Sequence, residues 1–270
     1  VHPGAATEDE NRAAALERRA RRWNARIYEG FPIRNWDRWL DERQPQLFVQ
    51  ELPQPGTVPA PARNLLAGTT LLKSPGYAGR ESDGGAELDP AWSPDGQFLV
   101  FAASIDRDRG AYAFTSTQLW RVPSRGGEPR RLTSGEHAWS RPAFSPDGRR
   151  LVALVERRSE RVYTRTELGA FDWARLGAGG EPQEPVWLTA GLDRSLSGFA
   201  ISADSRTVQV LAEEAGHEKL FSVPAAGGVP PTLAFDLSVG VYTNLAIASR
   251  AASPVLVGNW ESATSPPEVV

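Results

Sequence analysis

The sequence contains no cysteine and no methionine, and only three of its 270 residues are histidine. Without cysteine, disulfides and thiolate metal sites are excluded. A histidine-dependent mechanism would have to use His2, His137 or His217. We expect His2 in a frayed terminus, His217 in a polar turn, and His137 as a structural or solvent-facing side chain before a strand. Because the chain has no methionine and begins with Val1, we also expect that it is not a complete translated product.

Other classes of function lack support for similar reasons. No apolar run approaches the about 18 residues that a membrane helix requires. A net charge of −3 gives no reason to expect nucleic acid or an anionic membrane as a partner. The chain has no G-x-S-x-G sequence, the elbow that carries the nucleophile of α/β-hydrolases. No cluster of histidine and acidic residues has metal-ligand spacing, so we expect neither a metal nor another cofactor.

A turn motif recurs along the chain and organises it. Ser-Pro-Asp-Gly occurs at 93–96, again 52 residues later at 145–148, and in a degenerate form, Ser-Ala-Asp-Ser, at 202–205. Proline presets φ in such a turn, aspartate bonds the turn backbone, and glycine accepts the positive φ at the exit. Each copy therefore predicts a short strand, a tight turn and a second strand. That second strand is apolar on both faces, which is typical of a strand covered on both sides.

A second repeat has the same period. The segment 118–123 leads through a Gly-Gly pair to Arg-Leu-Thr at 131–133, and 219–224 leads through another pair to Thr-Leu at 232–233. A degenerate copy lies between them, at Gly179-Gly180 and Leu188-Thr189. A period near fifty residues with several short strands is typical of a β-propeller. We predict an all-β fold, a propeller of four-stranded blades with an N-terminal helix, and about five blades present or begun.

The predicted organisation has two parts, an N-terminal helical segment at 1–26 and propeller blades at 27–270, the last of them incomplete. The clearest blades are predicted at about 88–133, 141–189 and 198–233.

The helix is predicted over 8–26, starting at a capping box formed by Thr7 and Glu10. Its apolar stripe is expected to pack on the propeller edge; a basic docking surface is the alternative. The stripe consists of Ala13, Leu16, Ala20, Trp23 and Ile27.

Two pairs of residues are candidates for binding. Glu213 and Glu214 could hold a substrate amine through charge-assisted hydrogen bonds, and the alternative is a solvated hairpin tip. Trp36 and Trp39 fall outside the repeat phase and are candidates for a binding surface; the alternative is packing under the N-terminal helix.

The order of these motifs resembles the propeller of the prolyl oligopeptidase family, in its acylaminoacyl-peptidase and dipeptidyl-peptidase branch. The resemblance covers nearly the whole chain. At position 35, this sequence has Asn35 where the family's Arg-His-Trp-Asp version of one motif has histidine. The motifs that carry the resemblance are the basic helix, Ile27-Tyr28, Arg34-Asn35-Trp36-Asp37-Arg38-Trp39, Gln46-Leu47-Phe48-Val49, the Ser-Pro-Asp-Gly turns, Arg131-Leu132-Thr133, Leu192-Asp193-Arg194-Ser195, Ala212-Glu213-Glu214 and Ser265-Pro266-Pro267-Glu268.

The resemblance implies that the complete protein is a serine peptidase. Its Ser-Asp-His triad would lie in a C-terminal α/β-hydrolase domain in cis, so this chain alone would be inactive. The propeller would admit short peptides and help to hold the substrate's N-terminus. On this basis the candidate substrate-binding residues are Arg34, Trp36, Trp39, Glu213 and Glu214. The usual location of members of this family favours a periplasmic or secreted protein. The resemblance does not decide between a monomer and an oligomer.

Two other hypotheses remain at the level of sequence. The Ser-Pro-Asp-Gly turns also resemble those of the periplasmic Tol-system propeller, which would make the chain a protein-binding module. A propeller lyase or glycan enzyme is the third hypothesis, but it needs a cluster of histidines and acids that this sequence lacks.

Overall fold

The computed structural model describes residues 1–28, 30–35, 37–40, 42–82, 85–160, 163–178, 183–235, 239–248 and 255–270. Two compact units divide these residues between them. The first comprises Val1–Trp92 and Gly96–Ser134, and the second comprises Ser93–Asp95 and Gly135–Val270. Each unit contains its own cluster of buried apolar side chains.

The first unit begins with a helix and ends in a four-stranded antiparallel sheet. Three antiparallel strand pairs lie between them, β1 with β2, β3 with β4 and β5 with β6, and the sheet has the order β10-β9-β8-β7. A 3-10 turn, Arg107–Arg109, lies between β8 and β9. The elements are α1 (Glu8–Ala20), β1 (Arg34–Asn35), β2 (Arg38–Trp39), β3 (Phe48–Val49), β4 (Arg63–Asn64), β5 (Arg80–Ser82), β6 (Gly85–Glu87), β7 (Ala91–Trp92), β8 (Phe98–Ala103), β9 (Gln118–Pro123) and β10 (Arg130–Arg131).

The second unit contains three antiparallel sheets in sequence. Two are four-stranded, with orders β11-β12-β13-β14 and β15-β16-β17-β18, and the third has the order β19-β20-β21. The elements are β11 (Ala138–Phe144), β12 (Arg150–Glu156), β13 (Thr166–Asp172), α2 (Trp173–Ala178), β14 (Val186–Trp187), β15 (Leu196–Ile201), β16 (Thr207–Glu214), β17 (His217–Pro224), β18 (Thr232–Leu233), β19 (Val241–Ile247), β20 (Leu256–Ser262) and β21 (Ser265–Val269).

These sheets confirm the predicted fold class. Each four-stranded sheet is a simple meander whose strands neighbour one another in chain order, which is the construction of a propeller blade. In the first two of these sheets the second strand is buried on both faces, as the sequence predicts: Leu99 to Ala103 in β8 and Leu151 to Val155 in β12 are all below 5% exposed. Such double burial requires apolar partners on either side of the sheet.

The recurring turn is held by its own side chains. In the second copy, the Ser145 hydroxyl donates to Asp147 Oδ1 at 2.6 Å and accepts the Arg150 N–H at 3.0 Å. The degenerate third copy retains this pattern, because Ser202 bonds Asp204 at the same 2.6 Å. Hydrogen bonds from the Ser202 hydroxyl and from a backbone N–H lower the pKa of Asp204. Serine and aspartate, rather than proline and glycine, are therefore the parts of the motif that define the turn.

The N-terminal helix is shorter than predicted, although its start is confirmed. Thr7 and Glu10 form the capping box, but the helix ends at Ala20. The predicted apolar stripe is not buried: Leu16 is 57% exposed and Trp23 48%.

Polar contacts hold the N-terminal segment instead. The His2 N–H donates to Asn11 Oδ1 at 2.9 Å, and Arg18 pairs with Glu42 at 3.0 Å. His2 itself is only 9% exposed, and its Nδ1 lies 3.5 Å from Glu42. The expectation of a frayed terminus at His2 is therefore wrong, because a hydrogen bond and a carboxylate fix this residue in place.

Candidate functional site

Arg34 and Trp39, two of the predicted binding residues, are brought together in the first unit. They are cross-strand partners in the β1–β2 pair. Trp39 is 56% exposed, and its ring centroid lies 6.4 Å from that of Tyr28. An exposed cation beside an exposed aromatic surface suits contact with a ligand. Trp36 lies outside the described residues.

Glu213 and Glu214 lie at the end of β16, where a two-residue turn leads into β17. Ala215 and Gly216 form the turn with φ values of 53° and 78°, the left-handed pair that suits the twist of a hairpin. Because neighbouring residues of a strand project to opposite faces, the two carboxylates do not form one acidic pair. Glu213 and Glu214 therefore lie on opposite faces of the sheet and cannot hold one amine together.

Glu214 is neutralised on its own face. Its carboxylate lies 3.1 Å from Lys219 Nζ and 3.5 Å from Arg194 Nη2. The hydrogen bond and charge of Lys219, followed by Arg194, lower the pKa of Glu214. The carboxylate is thus already engaged by two cations.

Glu213 instead faces Glu218, its cross-strand partner on β17. Burial raises the pKa of Glu218 most, the charge of Glu213 raises it further, and a hydrogen bond from the Ser197 hydroxyl opposes the shift. Among the described residues Glu213 has no cationic partner. Two facing carboxylates whose charges repel form a site that a cation would stabilise. Sequence reasoning missed Glu218, because its position opposite Glu213 depends on the length of the turn.

The two carboxylates line a cavity of about 440 Å³, here called the Glu213 cavity. Ser197 and Ala215 line it as well, and Arg165 and Arg194 supply positive charge at its wall. The remaining lining residues are Asp193, Ser195 and Leu196.

A second cavity of about 420 Å³ shares Arg165 and Asp193 with the first. We call it the Arg157 cavity. Arg157, Arg158 and Arg165 all line it, together with the buried Glu167. The repeat pattern gave no signal for this cluster, because its members lie in a hairpin connection whose sequence does not recur.

Both cavities lie at the same end of their sheets. In a four-stranded meander, the Ser-Asp turn joins the first and second strands, and the second and third strands are joined at the opposite end. The connection after β12, from Arg157 onward, and the Ala215–Gly216 turn after β16 both belong to this opposite end, called the hairpin end. The repeated turn motif therefore builds one end of the sheets, and the candidate binding residues of the second unit occupy the other.

The histidines take structural positions. His137 Nδ1 accepts the Arg158 N–H at 3.2 Å, and its ring packs edge-on against Trp187. His217 Nδ1 lies 3.1 Å from the carbonyl oxygen of Gly240. Across the described ranges, no three histidine or acidic side chains are grouped as metal ligands. The helices that the structure describes are too short or too polar to cross a membrane.

No family profile matches the chain. The dipeptidyl-peptidase 5 of Arthroderma otae is 26% identical over 258 residues, covering 89% of this chain and 34% of the relative. That of Trichophyton schoenleinii is 29% identical over 228 residues, covering 80% of this chain and 29% of the relative. The chain thus spans about a third of the length of these curated relatives. Among solved structures, the β-propeller domain of the Pyrococcus furiosus trilobed protease aligns over 67% of this chain and 50% of its own, at 13% identity and a TM-score of 0.48.

Proposed function

Because the chain is related to the dipeptidyl-peptidases of the prolyl oligopeptidase family, we propose that it is the propeller part of a serine peptidase and binds the N-terminal side of short peptides. The resemblance inferred from the sequence is confirmed by these relatives. Catalysis would come from an α/β-hydrolase domain outside this chain and in cis, and the propeller would restrict which peptides reach it.

The main observation that supports this proposal is the partial match of the chain to peptidases. Relatives named for dipeptidyl-peptidase activity align with 80–89% of this chain, yet the chain accounts for only 29–34% of their length. The chain contains no G-x-S-x-G elbow to hold a nucleophile. A propeller that works with a separate catalytic region fits both facts. These relatives favour a peptidase over a Tol-like binding module.

Within the described residues, the Glu213 cavity is the best candidate for the peptide N-terminus. An ammonium group between Glu213 and Glu218 would relieve the repulsion of the two carboxylates and form charge-assisted hydrogen bonds with both. The shared face of the hairpin, rather than the Glu213-Glu214 dipeptide, supplies the two acceptors. Glu214 supports the site indirectly, because it holds Arg194 at the cavity wall.

Binding of amidated tetra-alanine to the purified chain tests this role. We expect acetylation of the peptide's N-terminus to weaken binding about tenfold, because the ammonium donor is lost. Glu213→Gln and Glu218→Gln should each abolish the difference between the free and acetylated peptides, measured by calorimetry. Glu184→Gln, an exposed change outside both cavities, is the matched control. Equal affinities for the two peptides in the unmodified chain would refute the assignment.

The pH dependence provides a second measurement. Because the pKa of Glu218 is raised above its ordinary value of 4.5, this carboxylate becomes neutral earlier than others as the pH falls. We expect amine affinity to be complete above that raised pKa and to decline as the pH drops through it. Glu213→Gln removes a neighbouring negative charge, so the midpoint for Glu218 should move to lower pH in a carboxyl NMR titration. An unchanged midpoint would contradict the facing arrangement.

A further inference from the structure

The Arg157 guanidinium is fixed by an aromatic stack. Its central carbon lies 4.4 Å from the ring centroid of Trp187, and Trp187 stacks on the buried Trp139 with centroids 6.1 Å apart and planes 15° from parallel. Gly169 makes room for this stack, because a Cβ there would lie 2.8 Å from the Trp139 ring. Stacking of a planar guanidinium on an indole restricts its orientation, which prepares it for bidentate contact with an anion.

A buried carboxylate fixes the guanidinium groups from the other side. The Glu167 side chain is 8% exposed and lies 3.4 Å from Arg157 and 3.5 Å from Arg165. Arg165 is bound further, because it pairs with Asp193 and donates to the Leu192 carbonyl, both at 3.0 Å. Each acid that lines the Arg157 cavity is thus already matched to an arginine.

The charges around the cavity are balanced, but Arg157 keeps N–H donors that can face a ligand. Three arginines line the cavity with two acids, Glu167 and Asp193, and the third arginine, Arg158, pairs with Glu136 at 3.1 Å. Arg157 is 43% exposed, and its hydrogen bonding within the described residues is limited to Glu167, whereas a guanidinium has five N–H donors. The hydroxyl-bearing residues Ser159, Tyr163 and Thr164 complete the lining. Preorganised cations and hydroxyls in a cavity are suited to a planar anion such as a carboxylate.

We propose that the Arg157 cavity binds a carboxylate of the peptide. This inference rests on the proposed function, because it assumes a peptide ligand, and it names the ligand group that the second cavity recognises. The two cavities share Arg165 and Asp193 in their linings, so they adjoin and a single peptide can contact both. The adjacent cavities therefore favour short peptides that carry opposite charges at their two ends, and Arg157 is the specificity-determining residue.

The first test needs no mutation. Acetylated tetra-alanine is compared as the free acid and as the amide, so the amine cannot contribute. We expect the acid to bind the purified chain about tenfold more tightly by calorimetry, and the preference to weaken as salt is added. Equal affinities would overturn the proposal. Because the amine test uses amidated peptides and this one uses acetylated peptides, either assignment can fail while the other stands.

Variants at Arg157 identify the group responsible. Arg157→Gln should remove the preference for the acid, and Arg157→Lys should reduce it, because lysine keeps the charge but lacks the stacked, forked donor. Arg149→Gln is the matched control: Arg149 is 83% exposed at the Ser-Asp turn, the opposite end of the same sheet, and the preference should persist. Circular dichroism establishes that each variant is folded. A folded Arg157→Gln chain that still prefers the acid would overturn the assignment, and if that variant does not fold, the acid and amide comparison above still decides.

A third pair of peptides distinguishes a side-chain carboxylate from the C-terminal carboxylate as the group that is bound. Acetyl-Ala-Ala-Glu-Ala amide and acetyl-Ala-Ala-Gln-Ala amide differ only in a side-chain carboxylate. Tighter binding of the glutamate peptide, lost in Arg157→Gln, supports recognition of acidic side chains, and a preference confined to the free C-terminus supports recognition of the peptide end. Absence of both preferences contradicts a carboxylate site.

Discussion

At the scale of single residues, Ala215 occupies a conformation that its side chain disfavours. Its φ of 53° lies in the left-handed region, where an L-residue with a Cβ is strained by about 1 kcal/mol. Asparagine tolerates this region, and Asn-Gly is the preferred sequence for such a turn. We expect Ala215→Asn to stabilise the chain by about 0.5–1 kcal/mol in urea unfolding.

The matched control is Ala226→Asn, which places the same side chain at an exposed position that is not left-handed. It should leave the free energy of unfolding nearly unchanged. Stabilisation by both variants to the same degree would mean that the turn conformation at Ala215 is not the cause.

The candidate binding residues are only partly predictable from the sequence. The Glu213-Glu214 dipeptide lies next to a hairpin turn, but neighbours in a strand face apart and the cross-strand partner of Glu213 is Glu218. Finding that partner requires the register, which the turn length alone decides. Arg157 and Trp187 are thirty positions apart and meet only because β14 lies beside β13 in the sheet. Contacts of this kind have no local signal in the sequence.

At the scale of elements, a buried threonine holds the outer strand of two sheets. The Leu168 N–H on β13 donates to Thr189 Oγ1 at 2.9 Å, and the Leu119 N–H on β9 donates to Thr133 Oγ1 at the same distance. Thr189 is 2% exposed, so its replacement by valine would leave a buried N–H without an acceptor. We expect Thr189→Val to destabilise the chain by about 1–3 kcal/mol in urea unfolding.

Thr232→Val is the control for that change. Thr232 lies in β18, the outer strand of the next sheet, but is exposed, and within the described part of the chain its hydroxyl contacts the Ser222 carbonyl at 3.5 Å. The loss should stay within about 0.5 kcal/mol. Equal destabilisation by the two substitutions would show that burial of the threonine hydroxyl is not what matters.

Elements that repeat were predicted well, and the element outside the repeat was not. Two recurring motifs with the same period predict the blades, because each copy specifies the same order of strand, turn and strand. Helix α1 occurs once in the chain, so no repeat constrains its length. Its apolar stripe predicts a helix six residues longer than the observed one and a buried face that is in fact exposed. The helix is held by a hydrogen bond to Asn11 and an ion pair of Arg18. Both residues are polar, so a search for apolar periodicity does not detect these contacts.

At the scale of the whole molecule, the chain is expected to need a catalytic partner region. It matches about a third of its peptidase relatives and contains no G-x-S-x-G elbow. We expect a serine-directed fluorophosphonate probe to leave the purified chain unlabelled in mass spectrometry, with an active serine hydrolase as the positive control. Stoichiometric labelling would reveal a nucleophile in the propeller and contradict the division of labour proposed above.

The Ser-Asp turns and the hairpin end lie at opposite ends of each sheet, which affects where the sequence can accept insertions. Insertions at Ala215–Gly216 or in the connection after β12 leave the opposite edge of each sheet intact, so these connections can change without loss of the sheets. Under the proposed function, exchange of these connections between related propellers should transfer peptide selectivity while the folding of the recipient is retained.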